Sequence, residues 1–132
     1  ELTGLLDVTE RALYEANALA VPGNRVGDIG HHTQEFCESR GYGIVRDFVD
    51  HGIGRKLHED PAVPNFGKAG AGAPLKLGMS SCIEPMIALG PWEAEILEDD
   101  WTVVTADRSV SAHFEHTILI PSNEPEVLTR LR

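Results

Sequence analysis

The sequence lacks an apolar run that approaches the roughly 18 consecutive residues needed for a membrane-spanning helix. It also lacks the basic segment followed by an apolar stretch that marks a secretory signal. Basic residues are scarce, since 11 lysines and arginines stand against 21 acidic residues, for a formal net charge of −10. Such a surface repels phosphate backbones. We therefore expect no direct nucleic-acid partner, no membrane partner and a cytoplasmic location.

Cysteine is also scarce. Cys37 and Cys82 are too few for a disulfide framework, and no CxxC pair is present to form a zinc ribbon or a thioredoxin-like site. We expect two reduced thiols, as is usual in the cytoplasm. The first residue is Glu1 rather than methionine, so a processed product or a fragment is expected. The length of 132 residues is enough for one domain.

The N-terminal part predicts two helices, over residues 3–20 and 27–40. Pro22 and Gly23 end the first helix, and Gly41 follows the second. The first helix carries an apolar stripe formed by Leu6, Leu13, Ala16 and Ala20. In the second helix, one face is formed by Ile29, Thr33, Phe36 and Cys37.

The rest of the chain predicts strands and loops. Residues 42–49 are rich in β-forming residues, whereas 61–74 are rich in Pro, Gly and Ala and predict a loop. Residues 80–89 predict a strand that ends or bends at Pro85. Residues 101–120 predict two strands around a turn at Asp107 and Arg108. This order favours an α+β fold, with helices packed on one face of a mainly antiparallel sheet.

The stretch VDHGIGRKLHEDP contains His51 and His58, spaced by a segment with two glycines that disfavour a helix. The glycines would let the backbone approach a ligand while one imidazole binds a metal and the other donates a hydrogen bond. A tight turn with solvated histidines is the alternative, because many histidines are simply partly buried polar residues. This stretch alone leaves both interpretations open.

Two glutamates lie beside apolar runs. Glu84 lies within CIEPM, and Glu115 precedes TILI in AHFEHTILI. An unpaired buried charge costs several kcal/mol, so each carboxylate needs a partner or must face solvent at a strand edge. The strand period places His113 and Glu115 on one face and His116 on the other. Shared divalent cations would offset both carboxylates, and mixed His and carboxylate ligands suit Mn, Fe, Co or Zn.

Four stretches resemble, in order, the C-terminal half of type I methionine aminopeptidases. They are DHGIGRKLHEDPAVPNFG, LKLGMSSCIEPMI, DDWTVVTADRSVSAHFEHTILI and EVLT, and VPGNRVGDIGH resembles the helical segment that precedes them. The resemblance covers nearly the whole chain. It implies the C-terminal half of a pita-bread fold, in which helices pack on a curved, mainly antiparallel sheet that carries two divalent metal ions.

The resemblance also implies roles for particular residues. His51 and Glu84 would bind one metal, and Glu115 would bridge both. Glu84 would also act as the general base toward the water that the metals activate, and His58 would hydrogen-bond the scissile carbonyl. Trp101 would form part of the wall of the methionine pocket. The implied activity is removal of the N-terminal methionine from nascent proteins. The resemblance also implies that the full-length enzyme is a monomer and encounters its substrates at the ribosome.

On this resemblance, residues 1–132 form a partial catalytic domain. The two aspartate ligands of the family and another substrate-binding histidine belong to the half that precedes the resembling part. We therefore expect the chain alone to cleave little or nothing. Four positions depart from the family pattern: Asp50 replaces a usual glycine, Ser81 an aromatic residue, Cys82 a threonine and His113 a frequent glutamine.

Three rival interpretations share the fold. A prolidase-like Xaa-Pro peptidase usually has IEPG where this sequence has IEPM, and type II methionine enzymes carry a long insertion between motifs that are close here. A non-catalytic pita-bread binding protein would be expected to lose the metal ligands, yet His51, Glu84 and Glu115 are all present. We therefore expect a metalloaminopeptidase.

Overall fold

The computed structural model describes residues 1–130, which form two helices followed by short antiparallel strands. Helix α1 spans Leu2–Ala18 and helix α2 spans Val26–Glu38, close to the predicted bounds. The predicted face of α2 is confirmed, since all four of its residues are buried. Gly41, with φ +83°, lets the chain reverse after α2. Neither of these two helices is both long and apolar enough to cross a membrane.

The predicted stripe of α1 is wrong at Leu6, and Ala20 is buried but lies beyond the end of the helix. Leu6 is 49% exposed, whereas Leu5, Leu13 and Ala16 are almost fully buried. The buried face follows Leu5, Thr9 and Ala16, and Leu6 lies at its edge in the first turns of the helix. A spacing of seven residues alone cannot separate the centre of a buried face from its edge.

The strands form three antiparallel sheets, which confirms the α+β prediction. Their bounds are β1 (Gly43–Ile44), β2 (Asp50–Gly52), β3 (Glu59–Val63), β4 (Ser80–Ile83), β5 (Met86–Ala88), β6 (Ala94–Ile96), β7 (Val103–Thr105), β8 (Ser111–His113), β9 (His116–Leu119) and β10 (Glu126–Val127). The five-stranded sheet has the order β10-β9-β4-β2-β3. The three-stranded sheet has the order β1-β5-β8, and β6 pairs with β7.

The two helices cover both of the larger sheets. One apolar cluster joins Leu13 and Ile29 to the five-stranded sheet through Val63, Ile83 and Ile118. The other cluster is formed by Leu5, Ala12, Phe36, Cys37, Ile44, Ile87 and Ala112, and it packs the helices on the three-stranded sheet. Burying each large apolar side chain contributes roughly 1.5–3 kcal/mol, so both sheets are held against the helices.

Two predicted segments differ from the structure. Only Gly43–Ile44 of residues 42–49 is a strand, and Arg46 beyond its end pairs with Glu38 at 3.0 Å. The predicted loop over 61–74 begins later than expected, since β3 includes Pro61 and ends at the buried Val63. Pro61 is tolerated because β3 is an edge strand, where a missing N–H breaks no ladder.

Residues 101–120 form three strands rather than two. β7 pairs with β6, β8 with β5 and β9 with β4, so the strands on either side of the turn do not pair with each other. Residues 80–89 break at Pro85 as predicted, and the two halves enter different sheets. A period of two identifies strands but says nothing about the partner of each strand.

The chain passes between the five-stranded and the three-stranded sheet twice, and these two sheet crossings, or passages, lie side by side. The chain leaves the five-stranded sheet after β4 and enters the three-stranded sheet at β5, and it makes the reverse passage between β8 and β9. Pairing of Ile83 with His116 and of Met86 with His113 holds the two passages next to each other. Glu84 lies in the first passage and Glu115 in the second. This topology is why two glutamates far apart in sequence face one site.

Candidate metal centre

Glu84, His113 and Glu115 form a cluster at the paired crossings. Each offers one ligand atom, and these atoms all lie within 4.8 Å of one another. The side chain of Glu84 is only 17% exposed, as its apolar neighbours predict. Glu115 is exposed, so of the two possibilities that the sequence leaves open for it, burial with a partner or exposure, the structure shows exposure. The crossing opens the surface at Glu115, while the next residues of β9 turn inward.

His51 approaches the cluster from β2, whose neighbours are β4 and β3. Its Nδ1 lies 2.9 Å from the carbonyl oxygen of Gly52. A carbonyl oxygen can only accept, so Nδ1 carries the hydrogen and the neutral ring keeps its lone pair on Nε2. That Nε2 lies 3.4 Å from Oε1 of Glu84.

His113 lies on the opposite side of the same carboxylate. Its Nε2 is 3.3 Å from Oε2 of Glu84. Hydrogen bonding to Glu84 raises the pKa of His113 most strongly, burial opposes this rise, and the charges of Glu84 and Glu115 add to it. The predicted division of faces is confirmed, because His116 points away to Nδ2 of Asn17 at 2.9 Å.

His58 lies in the loop between β2 and β3. It is exposed, and its ring centroid is 4.2 Å from that of His51. Both histidines line an open cleft of about 580 Å³, together with Val49, Asp50, Lys56, Glu59, Asp60 and Ala62. Trp101 is 86% exposed in the turn between β6 and β7, and it does not line this cleft.

Asp50 is completely buried directly beside His51. Its Oδ1 accepts a hydrogen bond of 2.6 Å from Nδ2 of the buried Asn65. Burial raises the pKa of Asp50 from 3.8 to about 8, and the bond from Asn65 partly opposes this rise. Oδ2 of Asp50 and Oδ1 of Asn65 are both buried without a hydrogen-bond partner, an arrangement that a proton on Asp50 would relieve. Sequence reasoning missed Asn65, whose signal is an amide within the apolar stretch AVPNF.

The other two departures from the family pattern lie on β4. Ser81 is buried, and its hydroxyl donates to the carbonyl oxygen of His51 at 2.8 Å. Sγ of Cys82 lies 3.5 Å from Oγ1 of Thr117. Burial raises the pKa of Cys82, which favours the thiol. Cys37 and Cys82 are both free, as predicted, and both are buried.

The donor atoms fit a divalent metal. Nε2 of His51 faces a carboxylate oxygen of Glu84, and with a neutral ring these are two acceptors that a cation between them would stabilise. Two ligand atoms that each lie ~2.05 Å from one tetrahedral ion are about 3.3 Å apart. Both imidazole-to-Glu84 distances, 3.4 and 3.3 Å, match that separation. Imidazole with carboxylate is the ligand set preferred by Mn, Fe, Co and Zn.

Comparison with known proteins confirms the resemblance. The chain is 47% identical to the methionine aminopeptidase of Clostridium perfringens over 132 residues, which cover 100% of this chain and 53% of that protein. The solved methionine aminopeptidase of Thermotoga maritima has a TM-score of 0.95 at 49% identity, with 98% of this chain and 52% of that chain covered. The chain therefore spans about half the length of these relatives.

A more distant likeness concerns the fold alone. The prolidase of Pyrococcus horikoshii OT3 has a TM-score of 0.73 at 23% identity, over 98% of this chain and 32% of that chain.

The model of metallopeptidase family M24 matches residues 1–122. That range contains both sheet crossings and every residue of the cluster. The chain therefore belongs to metallopeptidase family M24.

Proposed function

We propose that the intact protein containing this chain removes the N-terminal methionine from nascent proteins. Its substrates are the N-terminal peptides of these proteins, which it encounters at the ribosome in the cytoplasm. The intact protein is a monomer, and residues 1–132 supply part of its catalytic domain. The identity of 47% to a methionine aminopeptidase extends over the whole chain, which supports this substrate. The observation that carries the proposal is the Glu84 carboxylate between the imidazoles of His51 and His113.

In this proposal, His51 and Glu84 would hold one of two divalent ions, and Glu115 would be a ligand shared by the two. The ions are drawn from Co, Mn, Fe and Zn, because this ligand chemistry accepts each of them and availability decides among them. A bound divalent cation lowers the pKa of water to about 7 and polarises a peptide carbonyl. His51 is oriented for this role by the carbonyl oxygen of Gly52, which holds the hydrogen on Nδ1.

Glu84 and His58 perform the remaining steps. The Glu84 carboxylate accepts the proton of the attacking water and delivers it to the leaving amine. His58 lies exposed on the cleft beside His51, where its ring can donate a hydrogen bond to the carbonyl oxygen of the scissile peptide. Trp101 contributes to the methionine pocket once the intact protein surrounds it.

The direct experiment incubates the intact protein with Met-Ala-Ser, Leu-Ala-Ser and an Xaa-Pro dipeptide, in the presence of each metal and of a chelator. Methionine release from Met-Ala-Ser is expected, with loss of release on chelation. Glu84→Gln should slow release by about 10²–10⁴-fold, because the carboxylate that accepts the proton is gone. Glu98→Gln is the matched control, since Glu98 is exposed on the turn between β6 and β7.

Two results would overturn the proposal. Preferred cleavage of the Xaa-Pro dipeptide would identify a prolidase-like enzyme. Failure to bind any of the four metals, together with no release of methionine, would identify a non-catalytic binding protein.

A further inference from the structure

His113 occupies a position where the resembling enzymes frequently have glutamine. A carboxamide offers an oxygen acceptor and an NH₂ donor, whereas a neutral imidazole offers a nitrogen lone pair that transition metals bind well. This replacement can therefore convert a hydrogen-bonding position into a ligand position.

The geometry places that nitrogen at a ligand distance. Nε2 of His113 lies 3.3 Å from Oε2 of Glu84, the separation expected of two atoms that share a tetrahedral ion. Glu115 supplies a third atom, and the three ligand atoms lie within 4.8 Å of one another. His113 is held there by β8, where it pairs with Met86 directly after the passage that carries Glu84.

The two imidazoles use different oxygens of one carboxylate. His51 faces Oε1 of Glu84 and His113 faces Oε2. If Oε1 of Glu84 and His51 hold the first ion, the second ion would lie beside Oε2 with His113, Glu84 and Glu115 as ligands, without displacing His51. The side chain of His113 is 46% exposed, so an ion can reach it from solvent.

We propose that His113 is a metal ligand that binds a divalent cation through Nε2, together with one oxygen each of Glu84 and Glu115. The inference rests on the metal centre of the proposed function and adds to it a nitrogen ligand. A role for His113 limited to hydrogen bonding with Glu84 is the competing account.

The test is proton NMR of the intact protein loaded with Co²⁺, in which the ring N–H of each ligating imidazole is shifted far outside the ordinary range. His113→Gln should lose one shifted N–H resonance relative to wild type. His31→Gln should lose none. It is a matched control because the change is identical and His31 is similarly exposed, at 47% against 46%.

A second measurement needs no substitution. In wild-type protein with ¹⁵N-labelled histidine and bound ¹¹³Cd, Nε2 of His113 should show scalar coupling to the metal and Nε2 of His31 should show none. Absence of coupling at His113, or a Co²⁺-loaded His113→Gln protein that keeps every shifted resonance, would overturn the inference.

Peptide cleavage on the same samples separates this inference from the proposed function. Methionine release by a protein without coupling at His113 would leave the function intact and remove the ligand. Coupling at His113 in a protein that releases no methionine would leave His113 as a metal ligand and overturn the proposed function.

Discussion

Asp50 shows how strongly one residue can depend on its surroundings. Its carboxyl is fully buried beside His51, and burial raises its pKa from 3.8 to about 8. An unfolded aspartate ionises near 3.8, whereas the folded carboxyl keeps its proton until about pH 8. Asp50 therefore lowers the free energy of unfolding progressively as the pH rises between these two values.

Asp50→Asn should remove this loss of stability in the metal-free protein. The asparagine amide can donate to Oδ1 of Asn65, which lacks a donor, and can still accept from Nδ2. The gain in unfolding free energy over wild type should grow by roughly 1.4 kcal/mol per pH unit, or about 3 kcal/mol from pH 5 to pH 7. Urea unfolding across this pH range measures it.

Asp47→Asn is the control for this prediction, because Asp47 is exposed on the same segment and should show no such pH-dependent gain. A gain for Asp50→Asn that stays constant with pH would contradict a buried, protonated Asp50.

The sequence predicts a site residue correctly where a charged side chain lies among apolar neighbours. Glu84 drew attention because CIEPM surrounds a carboxylate with apolar residues, and the structure places Glu84 at the centre of the cluster. Asn65 carries the same kind of signal, an amide within the apolar stretch AVPNF, but its role depends on Asp50, 15 residues earlier in the chain, which the local sequence does not indicate. The exposure of Glu115 also depends on how two sheets meet, which no local pattern records.

At the scale of elements, helix α2 holds the loop that carries Asn65. Gly30 lies buried on α2 against this loop, and a Cβ added there would be 2.6 Å from the carbonyl oxygen of Phe66 and would also meet that of Pro64. Both contacts are with backbone on either side of Asn65. Only glycine allows the helix to approach this closely.

Gly30→Ala should therefore lower the free energy of unfolding by about 2–3 kcal/mol, because the loop must move away from the helix. Gly4→Ala is the matched substitution in α1, where the added Cβ would lie 3.1 Å from the end of the Tyr42 side chain. It should raise stability by about 0.5–1 kcal/mol through helix propensity. Chemical denaturation of both variants checks the opposite signs, and a neutral or stabilising Gly30→Ala would contradict the close packing.

Helices were easier to predict than strands for a physical reason. The buried face of α2 follows from its own sequence, because a helix makes its hydrogen bonds internally. β8 pairs with β5 and β9 with β4, both from much earlier in the chain, whereas β7 pairs with the preceding strand β6. The pairing of β8 and β9 therefore depends on long-range contacts that alternation does not encode.

At the scale of the whole molecule, the chain spans about half the length of the methionine aminopeptidases that it matches. The motifs predicted the family and the mainly antiparallel α+β fold, and both are confirmed. The motifs could not show how Glu84 and Glu115 meet, because the two glutamates lie in separate passages between the same two sheets. The candidate metal centre therefore depends on the whole topology rather than on any one motif.

The most direct test of this metal centre is anomalous diffraction from crystals of the intact protein loaded with Zn²⁺. We predict an anomalous peak about 2.0–2.2 Å from Nε2 of His51 and from oxygens of Glu84 and Glu115. Bound zinc that gives peaks only at other surface histidines, with none in contact with Glu84, would contradict the account.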